Sequence, residues 1–128
     1  MIYLDTSVAL AQLFAEDRRP PVSLWQETLV SSRLLEYELW TRVNARGLAK
    51  SHEEQVRGLL GRLAFLELAR PVLERALERF AKPVRTLDAL HLASMDFLRR
   101  QGQSVTLASY DDRLVAAARQ MKFALVEL

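Results

Sequence analysis

The sequence predicts an α/β protein, a single domain over residues 1–128 in which a central parallel sheet of about five strands carries helices on both faces. Three observations predict it. Short apolar runs alternate with stretches of helical periodicity along the whole chain, and no hairpin signal joins successive runs, so the strands are parallel with helical crossovers. Half of the residues are hydrophobic while Gly and Pro number 4 each, which argues against disorder. A chain of 128 residues buries roughly two-thirds of its unfolded surface, enough for one core, and with no cysteine that core stands on packing alone.

The elements follow in order. Ile2-Tyr3-Leu4 reads as a buried strand delivering Asp5, Thr6 and Ser7 to its C-terminal end, where a helix over Val8–Ala15 begins. Glu16 to Pro21 is a charged turn closed by two prolines, and Pro21 suits the first turn of a helix to about Thr28. Leu29–Ser32 is a second strand and Leu34–Ala45 a helix, with Gly47 as its stop. Ser51 and Glu54 have capping-box spacing and open a helix to about Leu63. Gly58 and Gly61 inside it cost up to about 1 kcal/mol each relative to Ala, and no Lys-Ser/Thr follows them, so they are not a phosphate loop. Phe65–Leu68 is strand-like, Pro71 leads a helix to about Ala81, and Pro83 ends it. Thr86–Arg100 is a long helix stopped by Gly102, Val105–Ala108 a strand, Asp111–Met121 a helix and Ala124–Glu127 a last strand.

No basic leader precedes the first apolar stretch and no run approaches the ~20 apolar residues of a membrane span, so a soluble, cytoplasmic protein without membrane association is expected. Net charge is only +2, but 15 of the 18 cations are arginine, whose planar fork suits phosphate. A genome rich in G and C produces the same excess and, taken alone, is the better account of it.

The acids carry the chemistry. Asp5 and Asp111 each follow a strand and precede a helix, where Asp is a favoured cap. In open α/β sheets that place is also where ligands bind. Asp112 reads as a first-turn acid facing the helix dipole. Asp88 lies in the first turn of its helix, where Thr86 can already cap, and shares a semi-apolar face with His91, Leu92 and Met95. His91 alone reads as a hydrogen-bonded core histidine, and Asp96 beside Arg99 and Arg100 as a solvated ion pair. Glu38 has Arg42 one turn on, and Glu36 lies beside Leu39 and Val43; periodicity does not choose between the two glutamates. Together the acids at strand ends and helix starts can meet at one end of the sheet. Two carboxylates ~5 Å apart repel by about 3 kcal/mol at an effective dielectric of ~20, so such a cluster calls for protonation or a cation. All-oxygen donors suit Mg²⁺ or Mn²⁺. Thr6 and Ser109 stand beside two of the acids, placed to orient them or to hold metal-bound water.

Four segments, in order and spanning essentially the whole chain, resemble the PIN domain family and within it the VapC-type toxins. Ile2-Tyr3-Leu4-Asp5-Thr6-Ser7 resembles the opening strand with its first acid and hydroxyl. Ser32 to Leu39 resembles the second motif, a serine with the acid six residues later, which selects Glu38 over Glu36. Thr86 to Ala93 resembles the third, with Asp88 as its acid. Thr106 to Leu114 resembles the last, with Ser109 where threonine is common and Asp111 as the acid, although the adjacent Asp112 competes for that position. The resemblance implies a three-layer PIN-like fold and a Mg²⁺- or Mn²⁺-dependent ribonuclease whose metal is held by Asp5, Glu38, Asp88 and Asp111. It implies an RNA substrate, a homodimer, and a cognate VapB-like antitoxin packing in an apolar groove, for which Leu13, Phe14, Leu24, Trp25, Leu39 and Trp40 are candidates. Arg33, Arg42, Arg46 and Arg85 are candidate phosphate contacts.

A response-regulator receiver would need an acid after a middle strand and a lysine after a late one, but Ala69-Arg70 follows Leu68 and Ser109 follows Ala108. A haloacid-dehalogenase-type phosphatase would need Asp where Ser7 stands. A housekeeping RNA-processing nuclease and a non-catalytic RNA- or protein-binding module of the same fold stay open.

Overall fold

The computed structural model describes Met1–Leu128 throughout. Its elements are β1 (Ile2–Leu4), α1 (Thr6–Leu13), a 3-10 turn (Val22–Gln26), β2 (Leu29–Ser32), α2 (Arg33–Ala45), α3 (Glu53–Leu60), β3 (Ala64–Leu66), α4 (Arg70–Leu77), α5 (Thr86–Arg100), β4 (Thr106–Ala108), α6 (Asp112–Gln120) and β5 (Ala124–Leu125). The strands form one sheet in the order β3-β2-β1-β4-β5, every neighbouring pair parallel. This is the three-layer α/β/α arrangement, with five strands and six helices.

Alternation along the strands divides the core. Leu4, Leu29 and Ala108 point to one face, where Val8, Ala9, Leu35, Leu39, Val43, Val56, Leu59 and Leu60 of α1 to α3 cover them. Their neighbours Tyr3, Val30 and Leu107 point to the other face, against Leu92, Met95, Leu114, Ala117 and Ala118 of α5 and α6. Each fully buried leucine contributes about 1.5–3 kcal/mol by leaving water.

The order of pairing fixes where the site lies. The chain steps outward from β1 to β2 to β3, then returns to place β4 on the opposite side of β1. Crossovers therefore run in opposite directions on the two sides of the β1–β4 pair, opening a crevice beyond the carboxyl ends of these strands. Asp5 and Asp111 stand on the segments that leave these two ends.

Some local expectations give way to tertiary demands. The helix expected from Pro21 to Thr28 is only the 3-10 turn, closed by Leu24 N–H to Pro21 O and Glu27 N–H to Leu24 O. The chain must be extended by Leu29 to pair with β1, and of the turn Leu24 is buried in the core while Trp25 packs against it half-buried. Ser51 does not cap α3: its hydroxyl donates to Leu48 O at 3.2 Å and meets His52 Nδ1 at 2.8 Å, and His52 is the cap residue without a side-chain bond. Gly58 is helical as expected, while Gly61 is the cap that ends α3. Thr86 is the first residue of α5, and Arg85, not Thr86, is its cap residue. The helix led by Pro71 stops at Leu77, where Arg75 turns to bridge Asp96 of α5 and stacks on Phe80.

No helix is long and apolar enough to cross a membrane.

Candidate active site

Asp5 is the junction of β1 and α1. Its backbone is extended and its side chain caps α1, accepting from the Ser7 N–H. Its Oδ2 also takes the Ser7 hydroxyl at 2.6 Å and the Ser109 hydroxyl at 2.8 Å. Capping and site roles coincide in one carboxylate, and Ser109 ties it to the segment that follows β4.

Glu38 projects from the second turn of α2, with its side chain 20% exposed. Both of its protein hydrogen bonds fall on Oε1: the Thr6 hydroxyl at 2.9 Å and His91 Nε2 at 2.8 Å. Glu36 faces solvent and pairs with Arg33, so the second-motif spacing selects the inward glutamate. Glu38 forms no ion pair with Arg42.

Asp111 caps α6, its Oδ1 accepting from the backbone N–H groups of Arg113 at 2.9 Å and Leu114 at 3.2 Å. The Ser109 hydroxyl accepts the Asp111 N–H at 2.9 Å, so one serine links the first and last acids. Asp88 sits half-buried in the first turn of α5 and accepts no hydrogen bond from the protein.

These four acids line one cavity of about 790 Å³ at the carboxyl end of the sheet, together with Thr6, Ser7, Arg42, Arg85 and His91. The pattern of bonding is shared. Asp5, Glu38 and Asp111 each commit one oxygen to the fold and leave the other, Oδ1, Oε2 and Oδ2 respectively, without a protein donor. Asp88 leaves both free.

Charge accumulates accordingly. Burial pushes the Asp88 carboxyl above its ordinary value, and the nearby Asp111 and Asp5 push it further, while His91 and Arg85 pull in the opposite sense. Burial opposes a charge on His91. Tyr3, the hydrogen bond to Glu38 and the charges of Asp5 and Glu38 outweigh it, and hold the ring up to about 10. The carboxylates line the cavity without forming a ready cage of three ligands. The donor set nonetheless fits a hard divalent cation: oxygens only, one free on each anchored carboxylate, and an unrelieved like charge at Asp88.

Of the other candidates, Asp112 is exposed at the start of α6 and does not line the cavity, so Asp111 is the acid that faces it. Thr6 and Ser109 both orient acids. Arg42 and Arg85 line the cavity and form no ion pair, whereas Arg33 pairs with Glu67 and stacks on Phe65, and Arg46 stacks on Phe14. Asp96 is not a solvated pair: it is buried and bonded by Arg75 at 2.7 Å and Arg99 at 3.0 Å, with Arg100 at 3.2 Å.

Of the residues expected in an apolar groove, Leu24 and Leu39 are core, and Phe14 and Trp40 lie under Arg46 and Arg57. Leu13 and Trp25 do line a second cavity of about 600 Å³, with Val22, Leu59 and Arg62.

Three contributors escaped the sequence reading. Ser7 holds Asp5, and its position two residues after an Asx cap was the available signal. His91 lies on the Asp88 face of α5, but its engagement with Glu38 depends on packing between helices 53 residues apart in the chain. Tyr3, inside β1, gave no signal.

Comparison with known proteins agrees with the fold. The PIN domain family matches residues 2–120. A protein named ribonuclease VapC47 from Mycobacterium tuberculosis is 32% identical, over 96% of this chain and 93% of its own. Ribonuclease VapC35 from the same species is 28% identical, over 98% and 96%. Among solved structures, VapBC2 from Rickettsia felis bound to a DNA fragment from their promoter superposes with a TM-score of 0.70 at 16% identity, over 98% of both chains. VapC20 from M. tuberculosis, described as a Sarcin-Ricin loop cleaving toxin, gives 0.66 at 20% identity, over 91% of this chain and 95% of its own.

Proposed function

This chain belongs to the PIN domain family, and on that premise we propose that it is a metal-dependent endoribonuclease, the toxin of a type II toxin–antitoxin pair. The observation that carries the reading is the convergence of Asp5, Glu38, Asp88 and Asp111, from four separate segments, on one cavity in which burial, and then the like charges of Asp111 and Asp5, push Asp88 toward protonation. Relatives named as ribonucleases support the same reaction class.

The four acids are the proposed ligands of Mg²⁺ or Mn²⁺, which when bound would activate water and neutralise charge on the scissile phosphate. The chain's own residues do the rest. Ser7 and Ser109 hold Asp5 through Oδ2, Thr6 and His91 hold Glu38 through Oε1, and the first turn of α6 holds Asp111 through Oδ1, so the unbonded oxygens are pre-aimed before substrate arrives. Arg42 and Arg85, free of ion pairs, are the groups available to orient the phosphate. The partner reading follows a solved neighbour described as a toxin–antitoxin complex from Klebsiella pneumoniae, together with VapBC2 from Rickettsia felis. We assign the cavity of Leu13, Val22 and Trp25 to an antitoxin segment and expect a homodimer, in the cytoplasm.

The test is cleavage of a structured RNA panel by antitoxin-free protein with Mn²⁺ or with EDTA, beside Asp5→Asn. Metal-dependent cutting abolished by the substitution supports the reading, and cutting that survives both would sink the site. Inhibition by the product of an adjacent short reading frame would distinguish a toxin from a processing nuclease.

A further inference from the structure

Tyr3 and His91 form a buried pair beneath the acids that the metal-nuclease reading does not by itself require. The Tyr3 ring is fully buried in the sheet and His91 is 2% exposed. Tyr3 Oη meets His91 Nδ1 at 2.7 Å, and His91 Nε2 meets Glu38 Oε1 at 2.8 Å. The two rings stand nearly perpendicular, 80° apart, so the tyrosine contacts the imidazole edge rather than its face.

The direction of these bonds is fixed by what each atom can do. Glu38 as a carboxylate only accepts, so His91 Nε2 must carry hydrogen. In a neutral ring Nδ1 then lacks hydrogen, and the Tyr3 hydroxyl donates to it. In a charged ring both nitrogens donate and Tyr3 Oη accepts. A hydroxyl serves either way, and in both states Nε2–H points at Glu38.

We infer that Tyr3 and His91 are positioning residues that pin Glu38 through Oε1 and so present its Oε2 to the cavity as a one-oxygen ligand. The Thr6 hydroxyl bonds the same oxygen from the α1 side, which confines the carboxylate from two directions. The inference matches the treatment of Asp5 and Asp111, each also held by one oxygen, but here the anchor is a side-chain relay reaching into the core. A histidine serving only to satisfy the core would not need a carboxylate partner, and Ser94 on the same helix shows the simpler solution, bonding the Leu90 carbonyl one turn back. Groups that hydrogen-bond a metal-ligating side chain typically change metal affinity 10–100-fold.

The inference rests on the metal-nuclease reading, and the test keeps the two apart. Mn²⁺ binding to antitoxin-free protein is titrated calorimetrically for wild type, His91→Leu, His91→Gln and Tyr3→Phe, with folding checked by circular dichroism at the same temperature. Glutamine keeps an N–H donor near the Nε2 position and leucine keeps volume without one. The expected result is a loss of roughly 10–100-fold in Mn²⁺ affinity for His91→Leu, recovery to within about threefold of wild type for His91→Gln, and an intermediate loss for Tyr3→Phe. Folded His91→Leu binding Mn²⁺ like wild type, or His91→Gln as weak as His91→Leu, would overturn the positioning role while leaving the metal site intact. Wild type that binds no Mn²⁺ would overturn the underlying reading instead.

Discussion

Replacing Asp88 with Asn should move stability and activity in opposite directions. Asp88 receives no hydrogen bond from the protein, is half-buried, and faces the charges of Asp111 and Asp5. Two unit charges on the order of 7 Å apart repel by about 2 kcal/mol at an effective dielectric of ~20. The cavity is open to water and salt, and Arg85 and His91 offset part of the repulsion, so about 1 kcal/mol should survive. Asparagine keeps the volume and drops the charge. For 128 residues the unfolding entropy near 60 °C is about 0.27 kcal/mol/K, so 1 kcal/mol corresponds to roughly 4 °C. The pH dependence has a definite sign. A carboxyl raised in the folded state binds its proton more tightly there than when unfolded, so its cost is absent at low pH and grows as pH rises through the folded value. In EDTA, Asp88→Asn should therefore melt about 4 °C above wild type at pH 8, and the gap should close below about pH 4. RNA cleavage with Mn²⁺ should fall at least 100-fold, in the range of losses on removing a group that stabilises transition-state charge. A melting temperature that drops at pH 8 would show Asp88 to be a structural ion-pair partner of Arg85 and refute the argument from crowded charge.

Other substitutions separate neighbours that look alike in the sequence. Glu38→Gln and Asp111→Asn should cut cleavage by roughly 100-fold or more, while Glu36→Gln and Asp112→Asn stay within about twofold, because the latter acids face solvent; equal effects within either pair would discard the geometry. Arg42→Ala and Arg85→Ala should raise KM for RNA and flatten its salt dependence by about one unit of log–log slope each, with Arg33→Ala neutral on both. Asp96→Ala should cost about 3 kcal/mol, the low end for a broken buried pair because Arg75 keeps a longer contact to Glu78 at 3.7 Å, measured by urea denaturation. Burial alone would raise Asp96, but bonds from Arg75 and Arg99 and the charge of Arg100 more than reverse it and hold the carboxyl below its ordinary range. That contribution is complete at neutral pH and is lost as pH falls through the folded value, so wild type and variant should converge in acid.

The fold was legible because parallel strands buried on both faces write themselves as apolar runs, and β1, β2 and β4 all fell where such runs predict. The acids were legible because strand ends and helix starts are marked locally: Asp5 and Asp111 announce themselves as caps, and Asp88 as an acid on a semi-apolar stripe. What stayed hidden depended on distance. Asp96 looked solvated because Arg75, its strongest partner, lies 21 residues away on α4. Tyr3 and His91 were read as core because their link to Glu38 exists only once β1, α2 and α5 are packed together. The capping box at Ser51 failed for the opposite reason, since a local motif was outcompeted by bonds to Leu48 and His52.

The switch point between β1 and β4 has a consequence for how the protein is made. Asp5 leaves the ribosome before the rest of the site, and of the two hydroxyls that hold it Ser7 follows at once while Ser109 lies 104 residues later. At about 5–20 residues per second, the interval between Asp5 and Asp111 is roughly 5–20 s. During it the growing chain gains Glu38 and then Asp88, yet β1 lacks its β4 neighbour and the cavity lacks a wall. Pairing over such sequence separation is also slow to form. If the chain is the nuclease proposed above, the four acids come together only once β4 has paired with β1, so RNA cleavage should be absent from chains truncated before Ser109.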